Sequence, residues 1–286
     1  MKILAVTLER CSGCSLFVDD KIVFSSSEER YTRKKSDSLF PENSIKHALE
    51  YCNVEPNELD HILICGNRLS LIPSIMREYS TFNVDDQLRS MKEYWYPKLI
   101  EKKDISYVKL FKNKINLENY PFNTEWGKKF DYFSLENPYS VDDERKVSEF
   151  FITTLSSFLN IEKSKISHVE HDTCHASYAL YGSPIRERNT LVVTADAWGD
   201  DLSATISIFD GEKINRVKEY NHKDFQLARI YRYTTLVLRM LANEHEYKVM
   251  GLAPYHNSKK TIEVEEVLNN MQSIDGIEFS FNSDVF

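Results

Sequence analysis

No run of apolar residues in the 286-residue chain is long enough to span a bilayer, and no secretory leader opens it. Membrane partners are therefore not expected, and a soluble, cytoplasmic protein is. Basic charge is not in excess either: 36 Lys and Arg stand against 44 Asp and Glu, a formal net charge of −8. That balance argues against unspecific nucleic-acid binding, which needs a basic footprint, and the one basic cluster is Arg30 to Lys35. The five cysteines are an odd number with no disulfide framework. Cys11-Ser12-Gly13-Cys14 has no second C-x-x-C and no helix-start pattern behind its first cysteine, so it reads as a tight strand-to-strand turn with small residues. Also missing is the base glutamate of an H-E-x-x-H protease, because Asp172 follows the first histidine of the H-x-x-x-H run.

What the chain does have is that pair, His171 and His175, followed by an apolar strand ending on Asp196. On a helix, positions i and i+4 share a face. Two imidazoles there can grip one metal ion while a strand-end carboxylate closes the site. Two neutral imidazoles and a carboxylate suit Fe(II), Zn or Mn, with Fe(II) the first choice. Cys174 points about a quarter turn away from that face and reads as a packed thiol.

The length allows a large core or two lobes. Strands are expected at 2–7, 14–19 and 21–27, the last two joined through Asp19-Asp20. A helix follows at about 42–53, from the spacing of Ile45, Ala48, Leu49 and Cys52, and then a strand at His61 to Gly66. Residues 67 to about 165 turn aromatic and charged (Tyr94-Trp95-Tyr96, Tyr120-Pro121-Phe122, Trp126), with helical stretches at 84–103 and 142–160. They read as a helical insertion, packed by its aromatics or offering a surface for acceptor recognition. Val193-Thr194, a turn and Phe209 to Ile214 then echo Val6-Thr7, a turn and Phe17 to Ile22, ahead of a strand at Asn215 to Tyr220 and a helix from about Leu227 to Ala242. A repeated strand-turn-hairpin-helix unit implies two homologous α/β lobes with β-turns on either side of a cleft. The small residues of those turns, Ser12, Gly13 and Ser15 in the first and Gly199 and Ser203 in the second, let backbone N–H groups approach phosphate oxygens.

Three stretches together resemble one family, the O-carbamoyltransferases of the nodulation-protein and antibiotic-tailoring type. Ser27-Glu28-Glu29-Arg30-Tyr31-Thr32-Arg33-Lys34-Lys35 is similar to that family's E-E-E-R-F-T-R-K-K run. Val169 to Ser177 resembles V-E-H-H-L-A-H-A-A, with Thr194 to Asp200 resembling V-D-G-x-G-E, and Glu246 to Tyr255 resembles E-x-K-V-M-G-L-A-P-Y-G. The resemblance implies an actin-like ATPase (duplicated ribonuclease H-like) fold, with a first lobe at 1–187 carrying the insertion and the start of an incomplete second lobe at 188–286. It implies His171, His175 and Asp196 as metal ligands, Lys35 as a contact to carbamoyl adenylate, and Gly251 among the nucleotide-binding glycines. In full-length relatives a carboxy-terminal module makes that adenylate from ATP and carbamoyl phosphate, and the amino-terminal module passes the carbamoyl group to a hydroxyl of a small sugar-like or natural-product acceptor.

Two departures from the pattern shape the functional expectation. Relatives carry a His-Asp pair in the first β-turn, where this chain has Arg10 and Cys11. A guanidinium stays protonated and cannot act as a base, which leaves Asp200 or a metal-bound oxygen as the group that deprotonates the acceptor. The chain also stops at Phe286, before the rest of the second lobe and the adenylate-forming module, so a fragment or half of a split pair is expected, inactive alone. The alternative is a catalytically silent subunit that keeps the metal and nucleotide sites.

Overall fold

The computed structural model describes residues 1–8, 10–67, 82–99, 101–114, 116, 118, 125, 127–129, 141–221, 224–225 and 227–282. They form a mixed α/β structure that divides into two compact units, one of residues 1–82 and 89–170, the other of residues 83–88 and 171–286. Of the expected aromatic stretch, Tyr120, Pro121, Phe122 and Trp126 lie outside the described residues.

The first unit holds a five-stranded sheet. β1 (Lys2–Thr7), β2 (Gly13–Val18) and β3 (Lys21–Ser27) form an antiparallel meander, while β4 (His61–Cys65) and β5 (Ile166–Val169) run parallel to β1, in the order β3-β2-β1-β4-β5. Asp19 and Asp20 both take positive φ, 46° and 65°, the left-handed turn that lets two strands pair after only two residues. Period-2 alternation sends Leu4, Val6, Leu16, Ile62 and Ile64 into the core. They meet Ile45 and Ala48 of α2 (Glu42–Cys52), which follows a short α1 (Glu29–Thr32).

The expected helix at 84–103 is broken into α3 (Val84–Ser90), a π-helical turn at Met91–Trp95 and α4 (Tyr96–Leu99). Pro97 explains the break: it has no N–H for the carbonyl four residues back, and its ring crowds that carbonyl. Tyr94 is buried in edge-on contact with Trp95 and Tyr107, so the aromatic run packs locally, whereas Tyr96 is exposed. Tyr107 opens α5 (Tyr107–Phe111), and Phe151 and Leu155 of α6 (Val141–Leu159) complete the core of this unit.

In the second unit β6 (Thr190–Gly199), β7 (Leu202–Phe209) and β8 (Ile214–Asn221) make an antiparallel sheet, and α7 (His171–Tyr181) packs Ala176 and Leu180 onto Val192 and Phe209. α8 runs from Leu227 to Val237, five residues short of its expected end. The chain turns left-handed at Arg239, φ 58°, and the next amide, that of Met240, donates back to the Thr235 carbonyl. Beyond it lie α9 (Glu246–Leu252), α10 (Ser258–Met271) and a hairpin of β9 (Gln272–Asp275) and β10 (Glu278–Phe281), whose Phe279 packs edge-on against Tyr220 and Phe225. No described helix is long and apolar enough to cross a membrane.

Candidate metal centre

The site in the second unit is built by two periodicities. Along β6 the alternation puts Val192, Thr194 and Asp196 on the face that α7 covers. On α7 the four-residue spacing stacks His171 over His175, ring centroids 4.6 Å apart. The β6–β7 turn fixes the join. Asp200 and Asp201 are both left-handed, φ 50° and 72°, and this aims Asp200 Oδ2 at the backbone N–H of His171, 2.7 Å away. A carboxylate is thereby placed on the free amides of the helix start, where charge and dipole agree.

Three donor atoms converge there. His171 Nε2 lies 2.9 Å from Asp196 Oδ2 and 2.9 Å from His175 Nε2, and the third side, His175 Nε2 to Asp196 Oδ2, is 3.7 Å. Protein ligands about 2.0–2.2 Å from one ion at octahedral or tetrahedral angles are about 2.8–3.6 Å apart, so two sides of this triangle match one face of a coordination shell and the third, 3.7 Å, is slightly wider. Among the described residues it is the one group of three or more His, Cys, Asp or Glu with donor atoms close enough to hold an ion. Asp196 Oδ1 accepts the Ala197 amide at 2.6 Å, which leaves Oδ2 as the atom turned to the histidines. Burial pushes the Asp196 pKa up, but hydrogen bonds with His171, His175 and the Ala197 amide outweigh it and hold the carboxyl well below the ordinary range. An anionic oxygen beside two imidazoles is the donor set of a divalent transition metal, and His175, half exposed, leaves one side open.

Gly199 belongs to the same site. A Cβ on it would stand 2.1 Å from Cδ2 and 2.3 Å from Cγ of His171, so the strand passes the ring where only glycine fits. Gly13 has a similar explanation, since its Cβ would meet the Ser26 carbonyl at 2.5 Å. The Ser12 amide, expected to approach phosphate, donates to the Asp37 carbonyl, and the Ser12 carbonyl accepts from Glu28. The turn that contains Arg10 and an exposed, left-handed Cys11 borders a cavity of about 240 Å³ lined by small residues, among them Thr7, Gly13, Ser15 and Ser27.

Lys35 lies in the first unit, exposed, on a loop held from both sides. Glu29 accepts the Ser36 amide at 2.8 Å. Glu28 is fully buried and accepts the amides of Asn43 and Ser44 and the Asn43 side chain, capping α2. The acidic half of the Ser27 to Lys35 run is therefore a clasp that fixes the basic half. Gly251 is exposed on α9 with no atom within 4 Å of where a Cβ would be.

Comparison with known proteins decides the family. The family described as Carbamoyltransferase N-terminus matches residues 2–286. The chain belongs to that family. This carbamoyltransferase N-terminal chain is 26% identical over 269 residues to an uncharacterized protein of Synechocystis sp., covering 91% of the chain and 35% of that protein. It is 25% identical over 244 residues to an uncharacterized protein of Methanocaldococcus jannaschii, covering 85% and 31%. The nodulation protein NolNO of Sinorhizobium fredii is 33% identical over 95 residues, 33% of the chain and 13% of that protein. The chain spans about a third of the length of the first two relatives.

Some residues that shape the centre of this carbamoyltransferase N-terminal chain were not legible beforehand. Asp172 is fully buried behind the histidines, where Thr194 Oγ1 donates to it at 2.6 Å and lies 2.7 Å from the Thr205 hydroxyl. Arg229 of α8 donates Nε–H to the Ala197 carbonyl at 3.1 Å. Asp172 carried a signal, a carboxylate in the first turn of a helix next to a candidate ligand. Arg229 carried none, because its contact depends on how α8 packs.

Proposed function

We propose that the chain is the amino-terminal module of an O-carbamoyltransferase, passing a carbamoyl group from carbamoyl adenylate to a hydroxyl of a small sugar-like or natural-product acceptor. Family membership supports the reaction class, and the observation that carries the reading is the convergence of His171, His175 and Asp196 within 4.8 Å. The two antiparallel meanders, β1-β2-β3 and β6-β7-β8, support the duplicated, actin-like reading of the fold. In this proposal the lobes divide as 1–187 and 188–286.

His171 and His175 would hold a divalent metal, Fe(II) by preference and Zn or Mn as alternatives, with Asp196 supplying the charge. When bound, such an ion offers Lewis-acid stabilisation of negative charge on the carbamoyl oxygen or the departing phosphate. Lys35 contributes a mobile cation to the adenylate phosphate from a loop that the Glu28 and Glu29 contacts keep in place. The acceptor oxygen attacks the carbamoyl carbon, the bond to the phosphate breaks, AMP leaves with its electron pair, and the hydroxyl proton passes to a base. Asp200 is the carboxylate assigned to that proton, through the oxygen not turned to the His171 amide. Adenylate formation from ATP and carbamoyl phosphate is assigned to a further, carboxy-terminal module. The apolar side chains left exposed on β6 and β7, Leu191, Val193 and Ile208, support an additional covering layer.

Arg10 and Cys11, in place of the family His-Asp pair, favour a second reading, a metal- and nucleotide-binding subunit without transfer activity. Transfer of labelled carbamoyl from carbamoyl phosphate and ATP to a panel of sugars, by the chain together with an adenylate-forming module, separates the two. Labelled product supports the enzyme; adenylate formation with no transferred label leaves the silent subunit.

A further inference from the structure

Helix α8 carries two arginines, Arg229 and Arg232, three residues apart and therefore on one face. That face is the inward one. Thr235 and Leu236, the next turn of the same stripe, are buried, and the helix packs against β6. Arg229 reaches the carbonyl of Ala197, the residue after Asp196. Arg232, one turn further, is half buried, and its Nε is enclosed with no hydrogen-bond partner among the described residues. A guanidinium is always charged, and enclosing one of its N–H donors without an acceptor is unfavourable. Carboxylates are in surplus in this chain, yet no described one pairs with Arg232. A half-buried guanidinium with an enclosed, unpaired Nε, on a helix whose other arginine one turn away is anchored to backbone, can present its remaining N–H donors in pairs to a tetrahedral oxyanion.

We propose that Arg232, seconded by Arg229, binds a phosphoryl group of the ligand on the side of the Asp196 strand. The inference deepens the proposed function and rests on it for its meaning, because it gives a phosphate-bearing substrate a contact in the same unit as the metal triad. Arg232 then acts as a binding residue, while Arg229 positions the helix against β6.

The test titrates inorganic phosphate calorimetrically into the wild-type chain, Arg232→Gln and Arg232→Lys, each with and without loaded divalent metal. Wild type is expected to bind phosphate, Arg232→Gln to bind it at least tenfold more weakly in both metal states, and Arg232→Lys to fall between, having kept the charge and lost the fork. Melting provides a second readout: without phosphate Arg232→Gln should melt no lower than wild type, and the rise of Tm with phosphate should vanish. Should Arg232→Gln not fold, Arg232→Lys carries the comparison. No phosphate binding by wild type, or equal affinity in the variants, overturns the proposal. Failure of the metal reading shows separately, as absence of bound metal in wild type, and leaves the phosphate comparison intact.

Discussion

Replacing Gly199 by alanine exchanges an α-hydrogen for a methyl group at the point where β6 passes the His171 ring. The new Cβ would lie 2.1 Å from Cδ2, 2.3 Å from Cγ and 2.6 Å from Nε2 of His171. Carbon pairs rest at about 3.5 Å, so ring or strand must give way by about 1.4 Å. A metal centre tolerates displacements of about 0.2 Å in its ligand distances. Nε2 of His171 is the vertex shared by the two 2.9 Å sides of the triangle, so moving it separates the ligand set. Loss of supporting groups around a metal typically costs about 10- to 100-fold in affinity, and displacing a ligand itself should cost at least about 100-fold, or ~2.7 kcal/mol. The assay is competition for Zn or Fe(II) against a chromophoric chelator, with circular dichroism and urea unfolding to show that the fold persists. A folded Gly199→Ala chain that binds metal with wild-type affinity would refute the reasoning.

Glu28→Ala leaves two backbone amides at the start of α2 and the Asn43 side chain without their buried acceptor. Urea unfolding should show a loss on the order of 2–5 kcal/mol, whereas a change below about 1 kcal/mol would mean water replaces the carboxylate. For the thiols, burial pushes Cys14 up to about 11, eased by the hydrogen bond from Ser44 and raised again by the charge of Glu28. Alkylation with iodoacetamide at pH 8 should therefore modify the exposed Cys11 and spare Cys14, with Cys14 reacting only as pH approaches 11 or the chain unfolds; equal rates at pH 8 would contradict the burial.

The parts of the fold and site that were legible in the sequence are those set by local periodicity. Short apolar runs gave β1 to β4 and the strand ending on Asp196, and the four-residue spacing gave the histidine face of α7, with the residues then found together. What escaped was set by tertiary context or by φ. β5 is only Ile-Ser-His-Val, too short to display a period, and it exists because β4 offers it a parallel edge. The capping of α7 by Asp200 depends on a left-handed Asp-Asp turn that no spacing reveals. Pro97 was visible, but its effect, a π-helical turn rather than a clean stop, required the packing of Tyr94 and Trp95 to hold the chain through it. Small residues in the turns suggested phosphate contact, while at Gly13 and Gly199 the structure offers a nearer reason, the approach of a strand and of a ring.

The central claim is that His171, His175 and Asp196 form one metal site, and metal stoichiometry tests it most directly. Wild-type chain and a His171→Ala/His175→Ala variant, both purified without chelator and checked for folding, are analysed by inductively coupled plasma mass spectrometry. The account predicts close to one divalent transition metal per wild-type chain and close to none in the variant, because the variant keeps one of three donors. Equal metal content in the two, or none in wild type after supply of Fe(II), Zn or Mn, would contradict it.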